Sequence, residues 1–356
     1  MSVGASNPEY VNARVRSRRA KLFADEDYRK LIRMGPSGIA RFMEESEYER
    51  EINDLGARFS GVDLIEFALN RNLAKHFQDL LDWSQGRLYD LIARYLRKFD
   101  VWNIKTIIRG IYTETDPEEI RTDLIMAGEL EETTIDRLLE VDSIEDAITV
   151  LDRTIYAAPL EAAYEEFEET GALVPLENTL DREFYEHLLE DVGRTSVTQE
   201  PQQGPQARYV EFLQAEIDFR NARNALRLAR SGADLDPATY YIEGGVLFDE
   251  SELRQLVNDY DALVDHIAEN KRYGDRLAGA LDRLRDADSL IQFEHALDAA
   301  LLEYADTLSS IYPVSVSAVL SYILAKEREV ENIRAIARGR EVGLSESEIE
   351  QELVIL

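Results

Sequence analysis

Cysteine is absent from this chain of 356 residues, and histidine, methionine and lysine are scarce, with four, four and seven copies. The lack of cysteine excludes disulfides, thiolate metal sites and cysteine nucleophiles, and it fits a reducing cytosol. No apolar run approaches the roughly 20 residues of a membrane span, and the N-terminal segment lacks the apolar core of a signal peptide. We therefore expect a cytosolic protein, or one peripheral to a membrane.

Basic residues are also fewer than acidic ones, since the chain has 40 basic and 71 acidic residues and a formal net charge of −31. Binding to a nucleic-acid backbone needs a basic face, so we expect no nucleic-acid partner. Many carboxylates with few lysines are typical of a protein adapted to a salt-rich cytoplasm, where salt screens their repulsion. The alternative is an ordinary acidic protein with a basic partner. A hydrophobic fraction of 45% is ample for a buried core.

Sequence motifs for catalysis and cofactor binding are missing. The chain has neither a Gly-x-x-x-x-Gly-Lys-(Ser/Thr) phosphate loop nor a Gly-x-Ser-x-Gly nucleophile elbow. Its histidines, which are His76, His187, His266 and His295, do not have the spacing of metal ligands. Carboxylates are so abundant that pairs of them carry no catalytic signal. We expect no catalytic residues, no metal, no cofactor and no small-molecule substrate.

Apolar residues recur every three or four positions along almost the whole chain, which is the period of an α-helix. One such stripe, predicted to lie on a single helix, consists of Leu88, Leu91, Ile92, Tyr95, Leu96, Phe99 and Trp102. Asp249 with Glu252, and Ser345 with Glu348, predict capping boxes at helix starts. Because strand signals are weak, the predicted fold class is all-α.

Two motifs recur three times along the chain. The first, Glu-x-x-Leu-(Asn/Asp)-x-x-(Leu/Phe), begins at Glu66, Glu177 and Glu294. The second, Asn-x-(Lys/Arg)-x-x-x-Arg, supplies Asn103, Lys105 and Arg109, then Asn221, Arg223 and Arg227, then Asn332, Arg334 and Arg338. Tyr48, Tyr156 and Tyr273 stand upstream of the three copies. The matching spacings indicate one unit repeated near residues 22–114, 129–231 and 247–340, with a Pro/Gln-rich insertion at 198–206 in the second copy.

A period above 100 residues is too long for a helical solenoid, and each repeat is large enough to be a domain. We predict helical repeat domains at residues 1–117, 118–236 and 237–356. A compact body with pseudo-threefold symmetry and three beads in a row both fit this pattern, and the periodicity does not choose between them.

The repeated glutamates lie on apolar helix faces. Glu66 lies over Leu69 and Leu73, and Asn103 also points toward an apolar face. A buried carboxylate needs a hydrogen-bond partner or a proton. Our hypothesis is that each glutamate binds the asparagine, or the tip of the arginine, of its own repeat.

Basic residues of two kinds are candidates for a partner surface. Lys105 and Arg109 lie four apart on one helix face, and both later repeats keep this arrangement. Such pairs either form salt bridges within the protein or face a common axis or an acidic partner. The second group, five bases in eight residues, is Arg14, Arg16, Arg18, Arg19 and Lys21. It is either a solvated helix end or a contact for an anionic protein or lipid surface.

Four segments resemble the C subunit of archaeal A-type ATP synthases, the counterpart of the d subunit in vacuolar-type ATPases. They are Tyr10-Val-Asn-Ala-Arg-Val-Arg-Ser-Arg-Arg, Glu45-Ser-Glu-Tyr48, Glu66-x-x-Leu69 and Asp100-Val-Trp-Asn-Ile-Lys-Thr-Ile-Ile-Arg109. The resemblance runs from about Tyr10 to Arg338. The Pro/Gln-rich insertion and the heavy acidity depart from the family and suggest a salt-loving archaeal member.

The resemblance implies an all-helical, funnel-shaped protein with three similar domains about a pseudo-threefold axis. In that family this component is not catalytic. It joins the proteolipid ring of the membrane sector to the D and F subunits of the central shaft, so that proton flow drives ATP synthesis. It is peripheral, on the cytoplasmic face of the cell membrane. The alternatives are a free-standing helical scaffold that binds soluble partners and an enzyme with a site between domains.

The net charge predicts a salt-dependent stability. The melting temperature should fall when the salt is reduced from molar to about 0.1 M, because the Debye length grows from about 3 to about 10 Å and repulsion among the carboxylates increases. Thermal unfolding followed by circular dichroism across this range measures the effect. A melting temperature that does not change with salt would contradict it.

Overall fold

The computed structural model describes residues 6–194, 205–231, 236–272 and 291–354. Every regular element in these ranges is helical, so the all-α prediction is confirmed. The α-helices in chain order are α1 (Pro8–Arg19), α2 (Asp25–Leu31), α3 (Pro36–Glu44), α4 (Glu49–Leu55), α5 (Gly61–Trp83), α6 (Gly86–Leu96), α7 (Lys98–Tyr112), α8 (Pro117–Asp123), α9 (Glu132–Leu139), α10 (Ile144–Val150), α11 (Ala157–Thr170), α12 (Val174–Arg194), α13 (Pro205–Ser231), α14 (Glu250–Leu256), α15 (Tyr260–Glu269), α16 (Ile291–Ile311), α17 (Val316–Glu341) and α18 (Glu346–Gln351). Pro237–Tyr240 is a 3₁₀ turn. Tyr273 and most of the Pro/Gln-rich insertion lie outside the described residues.

The sequence signals for helix starts are confirmed at both predicted capping boxes. The Asp249 carboxylate accepts a hydrogen bond from the Glu252 backbone N–H (2.8 Å), and the Glu252 carboxylate accepts one from the Asp249 N–H (3.1 Å). Ser345 and Glu348 exchange the same pair of bonds. Each box satisfies two backbone donors that a helix end would otherwise leave unpaired.

The predicted single stripe from Leu88 to Trp102 is wrong, because the chain turns at Arg97. Leu88 and Leu96 belong to the buried face of α6, which ends at Leu96, whereas Phe99 and Trp102 belong to α7, which begins at Lys98. The buried face of α7 includes Phe99, while Trp102 is exposed. Periodicity alone did not detect the break because the turn preserves the spacing of apolar residues.

The chain divides into two compact units. The first, which we call the terminal unit, comprises Met1–Leu96, Thr122–Gly128 and Leu302–Leu356. In this unit α17 packs against α5, α1 and α6, so that a helix from the end of the chain forms a core with helices from its beginning. Side chains such as Leu69 and Ile333 are fully buried.

A buried ion pair on α17 binds Tyr48, which comes from the first part of the chain, in the terminal unit. The fully buried ammonium of Lys326 donates to Glu329 Oε1 (2.7 Å) and to the Tyr48 hydroxyl (2.8 Å). Tyr48 in turn donates to the same Glu329 oxygen (2.7 Å). Burial lowers the pKa of Lys326, and the carboxylate of Glu329 opposes that shift.

The second unit, which we call the central unit, comprises Arg97–Arg121 and Glu129–Leu301. Helices α11 and α12 form an antiparallel pair, and α7 packs against α12 and α10. Helix α13 packs against α12 and α15. None of the helices in the described ranges combines the length and the hydropathy that crossing a membrane requires.

The Lys326–Glu329 pair predicts an unequal response to removal of two lysine charges. Lys326→Met leaves a buried carboxylate without its cation and should lower the free energy of unfolding by about 3–5 kcal/mol. The control is Lys30→Met, because the Lys30 side chain is 55% exposed and its surface ion pair contributes less than about 1 kcal/mol. Urea denaturation in molar KCl measures both. Equal losses would contradict the prediction.

Candidate functional site: the joints between repeats

The repeated arginines bind the repeated glutamates of the following repeat. Arg109 donates to both oxygens of Glu177, from Nε at 2.6 Å and from Nη2 at 2.7 Å. Arg227 binds Glu294 in the same bidentate manner, at 2.6 and 2.5 Å. We call the contacts between one repeat and the next a joint. These two joints lie within the central unit.

A third joint, within the terminal unit, connects the last repeat to the first. Arg338 donates from Nε and Nη2 to the two oxygens of Glu66, with Nη2 at 2.8 Å from Oε2. The order of partners is therefore cyclic: repeat 1 binds 2, repeat 2 binds 3, and repeat 3 binds 1. The hypothesis that each glutamate takes the arginine of its own repeat is wrong. The last helix of a repeat packs on the first long helix of the next, as α7 does on α12 and α17 on α5.

A second contact accompanies the arginine–glutamate pair in every joint. Lys105 binds Asp181 (2.6 Å), Arg223 binds Asp298, and Arg334 donates to Asn70 Oδ1 (2.7 Å). The basic residue lies four positions before the arginine, and its partner lies four positions after the glutamate. Residues four apart share a helix face about 6 Å apart. The two contacts therefore form two rungs between antiparallel helices.

The two rungs differ in burial. The glutamates of the arginine–glutamate rung are 13–21% exposed and the arginines 51–60%, which makes this a pair at the surface. The side chains of Lys105 and Asp181 are only 14% and 16% exposed. Burial acts to raise the pKa of Asp181, but the cations of Arg220 and Lys105 hold it below its usual value. In the third joint Asn70 takes the place of the carboxylate, so that rung is not an ion pair.

An acidic residue three positions before each repeated asparagine anchors the start of the next repeat. The backbone donors are Glu129 and Leu130 for Asp100 (2.9 and 3.0 Å), Val246 and Leu247 for Asp218 (2.7 and 2.8 Å), and Phe23 for Glu329 (2.6 Å). The partners again follow the cyclic order. Burial raises the pKa of Asp100 to about 6, although the two backbone hydrogen bonds oppose the shift.

The repeated asparagines hold the chain that follows their own repeat. Asn221 donates to the Ile242 carbonyl (2.9 Å) and accepts from the Ile242 N–H (3.0 Å). Asn332 makes the same two bonds with Val354, each at 3.0 Å. Asn103 occupies the corresponding buried position on α7. The amides of Asn221 and Asn332 thus bind backbone rather than a glutamate.

The basic residues at the N-terminus divide into two groups. Three form ion pairs inside the terminal unit: Arg18 with Asp79, Arg19 with Asp306 (2.6 Å) and Lys21 with Glu47 (2.7 Å). Arg14 and Arg16 are exposed, the former stacked on the rings of Tyr10 and Trp83 at 4.8 Å. That any of these five bases, or Lys105, Arg223 and Arg334, meets another protein stays a prediction.

Sequence reasoning missed Asp181, Asp298 and Asn70 as partners, although the first motif contains them as its Asn/Asp position. Matching two pairs of residues four apart on two helices would have identified them. It also missed the acidic residue that lies three positions before the repeated asparagine, as Asp100 does before Asn103 and Asp218 before Asn221. Among the described residues, no cluster of three or more histidine or acidic side chains is arranged to hold a metal ion.

Comparison with known proteins shows which family the chain resembles. Residues 11–352 match the family model of the ATP synthase (C/AC39) subunit. The chain is 64% identical to the C subunit of the A-type ATP synthase of Haloferax volcanii, over 100% of this chain and 99% of that protein. It is 63% identical to the Halorubrum lacusprofundi protein of the same name, over 99% of both chains. It is 34% identical to that of Methanosarcina mazei, over 99% of this chain and 94% of that protein.

A double-mutant cycle distinguishes pairing between repeats from pairing within a repeat. Arg109→Met and Glu177→Gln should show a coupling energy of about 0.5–1 kcal/mol, because an exposed bidentate pair contributes little more. Arg227→Met and Glu177→Gln, which change an arginine and a glutamate of the same repeat, should couple by less than about 0.3 kcal/mol. Urea denaturation in molar KCl gives the four free energies of each cycle. Equal coupling in both cycles would contradict the joint.

The raised pKa of Asp100 predicts that the difference in stability between wild type and a variant with a neutral side chain at this position depends on pH. The folded chain holds the Asp100 proton up to about pH 6, against an ordinary pKa of 3.8. Acidification from about pH 6 to about pH 4 therefore favours the folded state. Wild type should gain stability over this window relative to Asp100→Asn, by up to about 3 kcal/mol at 1.36 kcal/mol per pKa unit. A difference that is constant with pH would contradict it.

Proposed function

The chain belongs to the family of ATP synthase (C/AC39) subunits, and from this premise we propose that it is the non-catalytic rotor subunit of an A-type ATP synthase. It connects the proteolipid ring of the membrane sector to the central shaft, so that proton flow through the ring drives ATP synthesis. The observation that supports this role best is the cyclic order of the joints. A part that passes torque from one partner to another must resist relative movement of its own segments.

Each joint contributes to that resistance in a specific way. Two rungs four residues apart oppose sliding of one helix along the other, because sliding would separate both pairs at once. The acidic residue before the asparagine holds the backbone where the next repeat begins. Close packing of buried side chains leaves little compressible space between helices. Movement of one repeat is thereby transmitted to the next.

The finer arrangement that we propose follows the repeats. Domains at residues 1–117, 118–236 and 237–356 lie about a pseudo-threefold axis and form a funnel that receives the lower end of the shaft, made of the D and F subunits. Three equivalent joints in cyclic order support a closed arrangement over three beads in a row, because beads in a row need no contact between the last repeat and the first. In this arrangement the domains would overlap at their boundaries, and the packing of α7 on α12 and of α17 on α5 supports this.

The proposed location is the cytoplasmic face of the cell membrane, where the protein is held by its partner subunits. The acidic composition, together with the similarity to proteins from Haloferax and Halorubrum, supports a halophilic archaeal source. No cofactor or small-molecule substrate forms part of the proposed role.

Isolation from native membranes tests the role. A tagged full-length chain, extracted in detergent at molar salt, should bring down the proteolipid and the D and F subunits of the shaft. Inverted vesicles from a deletion strain should keep nucleotide hydrolysis by the catalytic head but lose ATP-driven proton pumping, because head and ring are disconnected. Recovery of the chain from the soluble fraction with other partners would support a free-standing scaffold. Normal proton pumping in the deletion strain would exclude the rotor role.

A further inference from the structure

Helix α1 lies outside the three repeats but contacts two of them. It ends before the first repeat begins near residue 22. Within the terminal unit it packs against α5 of repeat 1 and against α17 of repeat 3. Its buried residues are Val11, Asn12 and Val15. Because only two of these three side chains are apolar, the helix depends strongly on polar contacts to hold its place.

One face of α1 binds repeat 3. Asn12 and Arg16 donate to backbone carbonyls of the loop that precedes α17, at 3.3 and 2.9 Å. Arg19 donates from Nη2 to both carboxylate oxygens of Asp306, at 2.6 and 2.7 Å. Steps of four and three residues place the three donors on the same side of the helix.

The other face of α1 binds repeat 1. Arg18 forms an ion pair with Asp79 of α5, and its guanidinium lies 4.7 Å from the centroid of the Trp83 ring. Arg14 stacks on the same ring at 4.8 Å. Asn7, just before the helix, donates to the Trp83 carbonyl at 2.7 Å. Side chains on two different faces of one helix therefore connect repeat 3 to repeat 1.

The third joint differs from the other two in how the chain connects its repeats. A linear chain leads directly from repeat 1 to repeat 2 and from repeat 2 to repeat 3, but it connects repeat 3 to repeat 1 only through repeat 2. When the contacts of the first or second joint break, the linker keeps the two repeats close and favours reclosure. The third joint has no such linker, and its second rung, Arg334 with Asn70, is not an ion pair.

We propose that α1 is a latch that holds repeat 3 against repeat 1, in place of the direct covalent link that the other two joints have. Release of the latch opens the third joint and leaves the first joint closed. The latch also accounts for a run of basic residues in an acidic chain, because Arg18 and Arg19 bind carboxylates of different repeats. Every contact that carries this inference lies within the terminal unit, so it does not depend on the rotor role.

The absence of cysteine allows spin labels to be placed at chosen positions. Asp63→Cys with Val342→Cys puts one label on each side of the third joint, three residues before its glutamate and four after its arginine. Val174→Cys with Thr113→Cys has the same offsets in the first joint and is the matched pair. Electron paramagnetic resonance on the full-length chain in molar KCl, at urea concentrations below the unfolding midpoint, measures the ratio of separated to closed labels.

The decisive variant is Arg19→Met, which removes the bidentate contact with Asp306. It should raise the separated-to-closed ratio of the third-joint pair at least about fivefold, because a charge-assisted contact is lost. The first-joint pair should change by less than about twofold. Arg14→Met is the control on the same helix, because Arg14 stacks on Trp83 in repeat 1 and the chain itself keeps α1 attached to that repeat. It should change either ratio by less than about twofold.

A second variant and two contrary results complete the test. Arg16→Met removes one hydrogen bond of an exposed side chain. It should raise the third-joint ratio about threefold, and it replaces Arg19→Met if circular dichroism shows that the latter does not fold. An equal rise in both label pairs would overturn the proposal, since the arginine would then stabilise the whole protein. A third-joint ratio that rises no more than in Arg14→Met would overturn it as well.

Discussion

The bidentate contact between an arginine near the end of one repeat and a glutamate in the next repeat is the interaction on which this architecture depends. It occurs three times, and the third instance joins Arg338 near the end of the chain to Glu66 in its first repeat. Each pair is too exposed to contribute much free energy by itself. The pair fixes the register of the two helices, because a planar guanidinium meets both carboxylate oxygens in only one relative position of the helices.

Other ion pairs of the protein are more deeply buried than these. Lys105 with Asp181, and Lys326 with Glu329 and Tyr48, are removed from solvent and from screening by salt. The protein has a net charge of −31, so salt acts differently on its exposed carboxylates and on these buried pairs. Salt weakens repulsion among surface carboxylates, while the buried pairs keep their strength. Molar salt therefore favours the folded state while it leaves the buried ion pair of Lys105 and Asp181 in the first joint largely unscreened.

Much of the candidate site could be predicted from residue types and spacing. The glutamates, asparagines and arginines of the repeats, and the basic residues four positions before those arginines, all lie in joints or hold the adjoining backbone. Their partners could not be predicted. The three repeats have nearly the same motif spacing, and this spacing is compatible both with pairing of Glu177 to Arg227 in its own repeat and with the observed pairing to Arg109 of the preceding repeat.

The amino-acid sequence by itself determined the helical fold class, the threefold repeat and the capping boxes. These features depend on residues close together in the chain, whose periodicity and hydrogen bonds are local. Only the tertiary structure decided that contacts run from each repeat to the next and close between the third and the first. Helix packing brings together residues that are far apart in the chain, such as Glu66 and Arg338, which are separated by 272 positions. No local pattern encodes which repeat supplies the partner helix.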